Sequence, residues 1–197
     1  MRRARDIVCI IAATIGTVLG LTVVDAHATQ RAARCLDRPD TAVFGIRLAD
    51  GASVRTIVGT KYEYFGHEGT SLEPAHFMSR DGKQIFTMTH HPGDTVDFHR
   101  EFDVRYAGHS VVEQSLPTSA FATDNGVRLG LTKAAVTRRF GSCFKVVKQS
   151  SGQETIRYED KGKKSALLKR YKMPLYYAEY EFTGSRLSRF QFGFEHP

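Results

Sequence analysis

The sequence contains no Gly-x-Ser-x-Gly elbow, no glycine-rich phosphate loop, no HExxH pair and no CxxC pair. These absences take away the local signals of a serine hydrolase, a phosphate-loop nucleotide hydrolase, a zinc protease and a thiol redox centre. Only three cysteines are present, Cys9, Cys35 and Cys143. No acylatable cysteine stands at a lipoprotein cleavage position, because Cys9 lies inside an apolar run and Cys35 lies beyond it.

That apolar run, Ile7 to Val24, is preceded by Arg2, Arg3 and Arg5 and followed by Asp25-Ala26-His27-Ala28-Thr29. A charged start, an apolar stretch and an Ala-x-Ala site in that order predict a secretory signal peptide over 1–28, cut after Ala28. The mature chain, 29–197, is then expected in the periplasm or the medium, soluble after signal cleavage. The alternative is an uncleaved anchor, since a run of about 18 apolar residues approaches the length that spans a bilayer.

The chain carries a formal net charge of +7. Loss of Arg2, Arg3, Arg5, Asp6 and Asp25 with the signal leaves the basic excess in place, which favours anionic surfaces or acidic partners. Export argues against nucleic acid as a partner. Cleavage also removes Cys9 and leaves Cys35 and Cys143 as an even pair in an oxidising compartment, so a disulfide between them is expected. In the chain-entropy model a loop of that length contributes about 4 to 5 kcal/mol.

A weak internal repeat organises the rest. Residues 45–59 begin Gly-Ile-Arg-Leu and end Val-Gly, and residues 126–141 begin Gly-Val-Arg-Leu and end Phe-Gly. In the second copy Thr132 is placed to cap a helix over 133–140, with Leu131 and Val136 as a staple and Gly141 as the stop. In the first copy Asp50 takes the cap position, Val54 and Val58 match Val136 and Phe140, and Gly59 is the stop.

Strands are predicted after each helix. In the first half they are Tyr62 to Phe65, His76 to Arg80, an Asp81-Gly82 turn, Lys83 to His90, a His91-Pro92-Gly93-Asp94 turn, and an alternating strand from Val96 to Tyr106. In the second half they are Phe144 to Lys148, Gln153 to Glu159, Leu175 to Phe182 and Arg186 to Glu195. Ile156, Tyr158, Tyr176, Ala178, Tyr180, Phe182, Phe190, Phe192 and Phe194 share one face of that second meander. Arg157, Glu159, Tyr177, Glu179, Glu181, Arg189 and Gln191 share the other. The fold class is therefore α+β, two repeated units over 29–115 and 116–197, each a short helix packed on an antiparallel β-meander.

With Leu129, Gly130, Thr132, Val136 and Gly141 opening a helix ahead of Thr155-Ile-Arg-Tyr-Glu159 and Tyr176-Tyr-Ala-Glu-Tyr-Glu-Phe182, the chain resembles the SmpA/OmlA (BamE-like) and β-lactamase-inhibitor-protein superfamily. The resemblance implies an extracytoplasmic protein that binds other proteins without catalysis and needs no cofactor. The tandem form looks like the inhibitor branch, whose two halves present a sheet to an enzyme. Two departures set the chain apart from the outer-membrane assembly members: it lacks their lipid-anchoring cysteine, and its first copy has Ala49-Asp50 where the motif has Gly-x-Thr.

Three functional readings follow. The first is an inhibitor or immunity-type protein that blocks an extracytoplasmic enzyme or toxin. Its contact residues are Tyr177, an exposed tyrosine among charges, with Glu179, Arg157 and Arg189 beside it on the polar sheet face. The second is an envelope structural or assembly protein that binds outer-membrane components. In either, the basic insert with Lys163, Lys164, Lys169 and Arg170 is a solvated hairpin loop or a contact for an anionic envelope surface. The third is a metal-dependent enzyme built on His90, His91, His99 and His109, in which His99 and Glu101, two apart on one strand, point the same way and share a metal. The spacing supplies no recognised ligand set, so no metal is expected. Intact-mass spectrometry of the mature protein without reductant is expected to read one disulfide joining Cys35 and Cys143. Recovery of two free thiols would remove it.

Overall fold

A computed structural model of the chain describes residues 35–59, 74–91, 93–95, 98–110, 112, 114 and 115–195. The expected signal peptide and the expected strand Tyr62 to Phe65 lie outside the described residues, as do Pro92, Val96 and Asp97. Arg31–Pro197 forms one compact unit. No helix among the described residues is long and apolar enough to cross a membrane.

The fold is α+β and mostly sheet. It opens with a two-stranded sheet, β1 (Ala42–Val43) and β2 (Ile46–Arg47), followed by helix α1 (Gly51–Val58). Next come β3 (Ala75–Ser79), β4 (Gln84–Thr89), β5 (Glu101–Tyr106) and the short β6 (Ser115–Leu116). The second part holds α2 (Lys133–Phe140), β7 (Lys145–Ser150), β8 (Gln153–Asp160), α3 (Ala166–Tyr171), β9 (Leu175–Thr183) and β10 (Arg186–Glu195). Eight strands form one sheet in the order β6-β3-β4-β5-β10-β9-β8-β7. All neighbours are antiparallel except β3 with β6. The strands of the two expected units thus join edge to edge where β5 pairs with β10.

The two long helices are delimited by local chemistry. Asp50 caps α1 by accepting from the Ser53 amide at 3.2 Å, and Thr132 caps α2 by accepting from the Ala135 amide at 3.2 Å. Each cap satisfies an amide that the first turn leaves without a helical partner. Both helices stop at glycines with positive φ, Gly59 at 90° and Gly141 at 84°, whose amides donate to the Arg55 and Thr137 carbonyls. The expected helix over 133–140 is found at those residues.

Burial on one face then assembles the core. Val54 of α1 and Val136 and Phe140 of α2 pack in the same cluster as the inward rows of the sheet. Phe140 stacks on Tyr180 with ring centroids 5.5 Å apart and meets Tyr158 edge-on at 5.7 Å. The Tyr158 hydroxyl donates to the Gly141 carbonyl at 2.7 Å, which satisfies an acceptor at the end of α2. Across the central join the aromatic contacts continue: Phe86 meets Phe102 at 5.2 Å, and Phe102 meets Phe192 at 5.7 Å. All three rings are fully buried, and each such side chain contributes about 2 to 3 kcal/mol of transfer free energy.

The disulfide Cys35–Cys143 spans 108 residues with its Cα atoms 5.7 Å apart. It ties the start of the described chain to the segment between α2 and β7. Beside it the Leu36 amide donates to the Phe140 carbonyl at 3.0 Å.

Two expectations are corrected. Of the expected strand, the described residues 98–100 lie outside it and β5 starts at Glu101, because Arg100 turns inward and pairs with Asp94, with side chains only 6% and 5% exposed. The Arg100 Nε donates to Asp94 Oδ2 at 3.0 Å, and the Arg100 amide donates to the Thr89 carbonyl at 2.9 Å. A buried ion pair with those bonds outweighs simple alternation at this end of the strand. The basic insert is also more than a solvated loop, since it contains α3. Ser165 caps it by accepting from the Leu168 amide at 3.2 Å, Leu168 is buried, and Tyr171 packs on Phe194 with centroids 5.0 Å apart. The local signal for it is Ser165 followed by Leu168 and Tyr171 at helical spacing.

Gly193 sits at the join. A Cβ there would lie 2.8 Å from the Glu101 Cα and would also strike the Arg100 carbonyl oxygen, both backbone atoms that cannot swing away. Gly193→Ala is expected to destabilise the fold by about 1 to 3 kcal/mol, the range for overpacking. Chemical denaturation monitored by tyrosine fluorescence checks this, and an unchanged midpoint would show that the two edges have room to spare.

Candidate functional site

The face of the sheet opposite the helices is polar, and its side chains fall into cross-strand rows set by register. One row runs Glu159, Tyr177, Gly193, Glu101, Thr89; the next runs Arg157, Glu179, Gln191, Asp103, Thr87. A third begins Thr155, Glu181, Arg189, Arg105. These rows bring Arg157, Tyr177, Glu179 and Arg189, the four expected contact residues of the sheet, into one patch.

Arg157 organises the patch. Its Nε donates to Glu159 Oε1 at 2.9 Å, its Nη1 to Glu179 Oε1 at 2.8 Å and its Nη2 to Glu195 Oε2 at 2.5 Å. The guanidinium also lies 4.5 Å from the centre of the Tyr177 ring. Partial desolvation works against its charge, but the three carboxylates outweigh that and hold its pKa above the ordinary arginine value. Glu159 receives Lys145 at 3.3 Å and Lys161 at 3.1 Å as well. Desolvation alone would raise its pKa, yet hydrogen bonds from Lys161, Lys145 and Arg157 bring it down to about 2.

Tyr177 lies on the expected face, but it is not exposed. Only 5% of it is accessible, because Arg157 lies over its ring and its hydroxyl is held between two neighbours. That hydroxyl donates to Glu101 Oε2 and accepts from Gln191 Nε2 at 2.9 Å. Burial, followed by the Glu101 charge, pushes its pKa well above the usual tyrosine value. No side chain stands between Tyr177 and Glu101, since the residue between them in the row is Gly193. Arg189, on β10, pairs with the buried Asp103 of β5 and donates from Nη2 to Gln191 Oε1 at 2.8 Å. A depression on this face is lined by Thr155, Glu179, Glu181, Arg189 and Gln191.

The histidine reading is corrected by the same geometry. His99 precedes β5 and is fully buried, its ring 4.4 Å from that of His90, while Glu101 points to Tyr177 on the polar face. His90, His99 and Glu101 therefore do not converge. Among the described residues no group of three or more His, Cys, Asp or Glu side chains is placed to hold a metal ion. Lys163, Lys164, Lys169 and Arg170 are exposed on the insert and on α3.

No known protein family, curated protein or solved structure matches this chain. What the residues do must be read from their arrangement.

One buried carboxylate escaped the sequence reading. Asp40 is fully buried; its Oδ1 accepts from Asn125 Nδ2 at 2.9 Å, its Oδ2 from the Tyr180 hydroxyl at 2.9 Å, and its carbonyl from the Tyr176 hydroxyl at 2.7 Å. Desolvation raises its pKa to about 6 against the opposing effect of hydrogen bonds from Thr123, Asn125 and Tyr180, with the Asp124 charge adding to the rise. No sequence pattern marks it, because its partners lie more than eighty positions away.

The pH dependence follows from the sign of that shift. A folded-state pKa above the unfolded value of 3.8 means that Asp40 favours folding most below about pH 4 and loses that contribution as pH rises through about 6. The full loss corresponds to about 3 kcal/mol. Glu159 acts oppositely: its contribution is present above its ordinary value of 4.5 and is lost as pH falls toward 2. Stability is therefore expected to rise on acidification from pH 7 to pH 5, and Asp40→Asn is expected to flatten that rise. Urea midpoints across this range in both proteins provide the check; a wild-type midpoint that falls steadily with acidification contradicts it.

Proposed function

We propose that this chain is an exported, non-catalytic protein-binding module that uses the polar sheet face to block an enzyme, in the manner of an inhibitor or immunity-type protein. The observation that carries the reading is the Arg157 patch: one guanidinium joined to three carboxylates and laid over a tyrosine that is itself hydrogen-bonded at both sides. Side chains already locked in place lose little conformational entropy on docking, which favours tight association with a protein surface. Arg189, with its side chain 44% exposed, the exposed Arg105 and the exposed part of Glu195 are among the polar groups that this face offers to a partner.

A tandem plan supports the same reading. Helices α1 and α2 are equal in length, begin at side-chain caps and end at positive-φ glycines, and each precedes strands that meet at the β5–β10 join. We take the halves as two repeated units in the sense of the resemblance to the inhibitor-protein superfamily. Export is supported by the signal-like N-terminus and by the disulfide, which persists in oxidising compartments.

The test pairs capture with activity. The mature protein immobilised and passed over envelope extract is expected to retain an extracytoplasmic hydrolase or toxin, and to suppress its activity when added back in equimolar amount. Arg189→Glu, which reverses an exposed charge on the face, is expected to weaken both by about tenfold or more. Retention of an outer-membrane component with no enzyme inhibited would favour the assembly reading. A captured enzyme left fully active would end the inhibitor reading.

A further inference from the structure

Strand β7 is the outermost strand of the sheet, and all six of its residues are exposed. Among the described residues it pairs with β8 alone, and no described strand lies on the other side of its backbone. Exposed edges of this kind present a row of donors and acceptors that an extended chain can complete. Val146 and Val147, 46% and 49% exposed, are two of the three large hydrophobic side chains left exposed among the described residues. Unlike a frayed edge, this strand is held at both ends. Cys143, two residues before it, is bridged to Cys35, and Phe144 packs 5.8 Å from Tyr158 under the Lys133 ammonium at 4.9 Å. At its far end a turn at Ser151 and Gly152 leads straight into β8.

The charges carried by the strand and its flanking segment have one sign. From Arg138 to Gln153 there is no acidic residue, while Arg138, Arg139, Lys145 and Lys148 are basic. At the Lys145 end, Lys145 and Lys161 meet on Glu159, so the basic insert with Lys163 and Lys164 starts beside the strand. A second copy of the chain is disfavoured here. Both partners would bring the same lysines, and each chain carries a net charge of +7.

We propose that the free edge of β7 takes an extended acidic segment of another protein as an added strand, its carboxylates against Lys145 and Lys148 and its apolar side chains against Val146 and Val147. The site adjoins the polar sheet face, since Lys145 also pairs with Glu159, but it uses the backbone edge of β7 and stands whether or not that face binds an enzyme.

The test uses the whole mature protein and a short fluorescent peptide alternating Glu and Val, with anisotropy as the readout. Saturable binding is expected below about 1 mM. The same peptide with Lys for Glu is expected to bind about tenfold more weakly, and so is the Glu peptide to the Lys145→Glu, Lys148→Glu protein, as loss of two exposed ion pairs allows. A Glu peptide methylated on alternate backbone amides is expected not to bind, a readout that leaves the protein itself untouched. Hydrogen exchange should slow at Val146 to Ser150 when the unmodified peptide is present. Binding indifferent to backbone methylation or to peptide charge, or none up to about 1 mM, overturns the proposal. So does a peptide-independent dimer that protects the same amides, which would assign the edge to a second copy.

Discussion

At the centre of the sheet the backbone of Arg100 and Glu101 lies against Gly193 at a distance that admits no side chain. That contact pairs β5 with β10 and turns two sets of strands into one sheet. The consequences appear on both faces. On the inner face Phe102 and Phe192 meet across the join and make the cores of the two sides continuous. On the outer face the missing side chain lets the Tyr177 hydroxyl reach Glu101 two strands away.

A second set of ties holds the residues ahead of β1 against the later strands. The disulfide at Cys35, the Leu36 amide on the Phe140 carbonyl, and Asp40 with Tyr176, Tyr180 and Asn125 all join positions far apart in the chain. Burying a carboxylate is costly, and the hydroxyl and amide donors around Asp40 offset part of that cost without removing it, which is why its pKa remains high. The arrangement puts a titrating group under the sheet, whereas the other buried acidic side chains among the described residues, Asp94 and Asp103, are paired with arginines. Asp94 with Arg100 is the paired counterpart on the other side of the join.

The parts of the fold legible in the sequence were those settled by neighbours in the chain. Asp50 and Thr132 as caps, Gly59 and Gly141 as stops, and the alternation through β8, β9 and β10 depend on contacts within a few residues. Alternation also placed Arg157, Tyr177, Glu179 and Arg189 on one face. It could not say that Tyr177 would be covered, since the covering Arg157 is on β8 and the hydrogen-bonding Glu101 on β5. His99 and Glu101 were read as strand neighbours because nothing local reveals that Arg100 turns inward to Asp94. The helix α3 was masked by the five lysines of the insert, Lys161, Lys163, Lys164, Lys169 and Lys172, which outnumber the Leu168 and Tyr171 that anchor it.

By itself, the sequence determined the limits of α1 and α2, the inward and outward rows of β8, β9 and β10, the cysteine pair and the basic character of the insert. Each of these follows from backbone capping, the two-residue period of a strand or simple counting. Only the tertiary structure decided that β5 lies beside β10, that β7 is left at the edge, and that Asp40 ends beneath Tyr180. Strand order and burial depend on close approaches between residues far apart in the chain, and a linear pattern carries no measure of that distance.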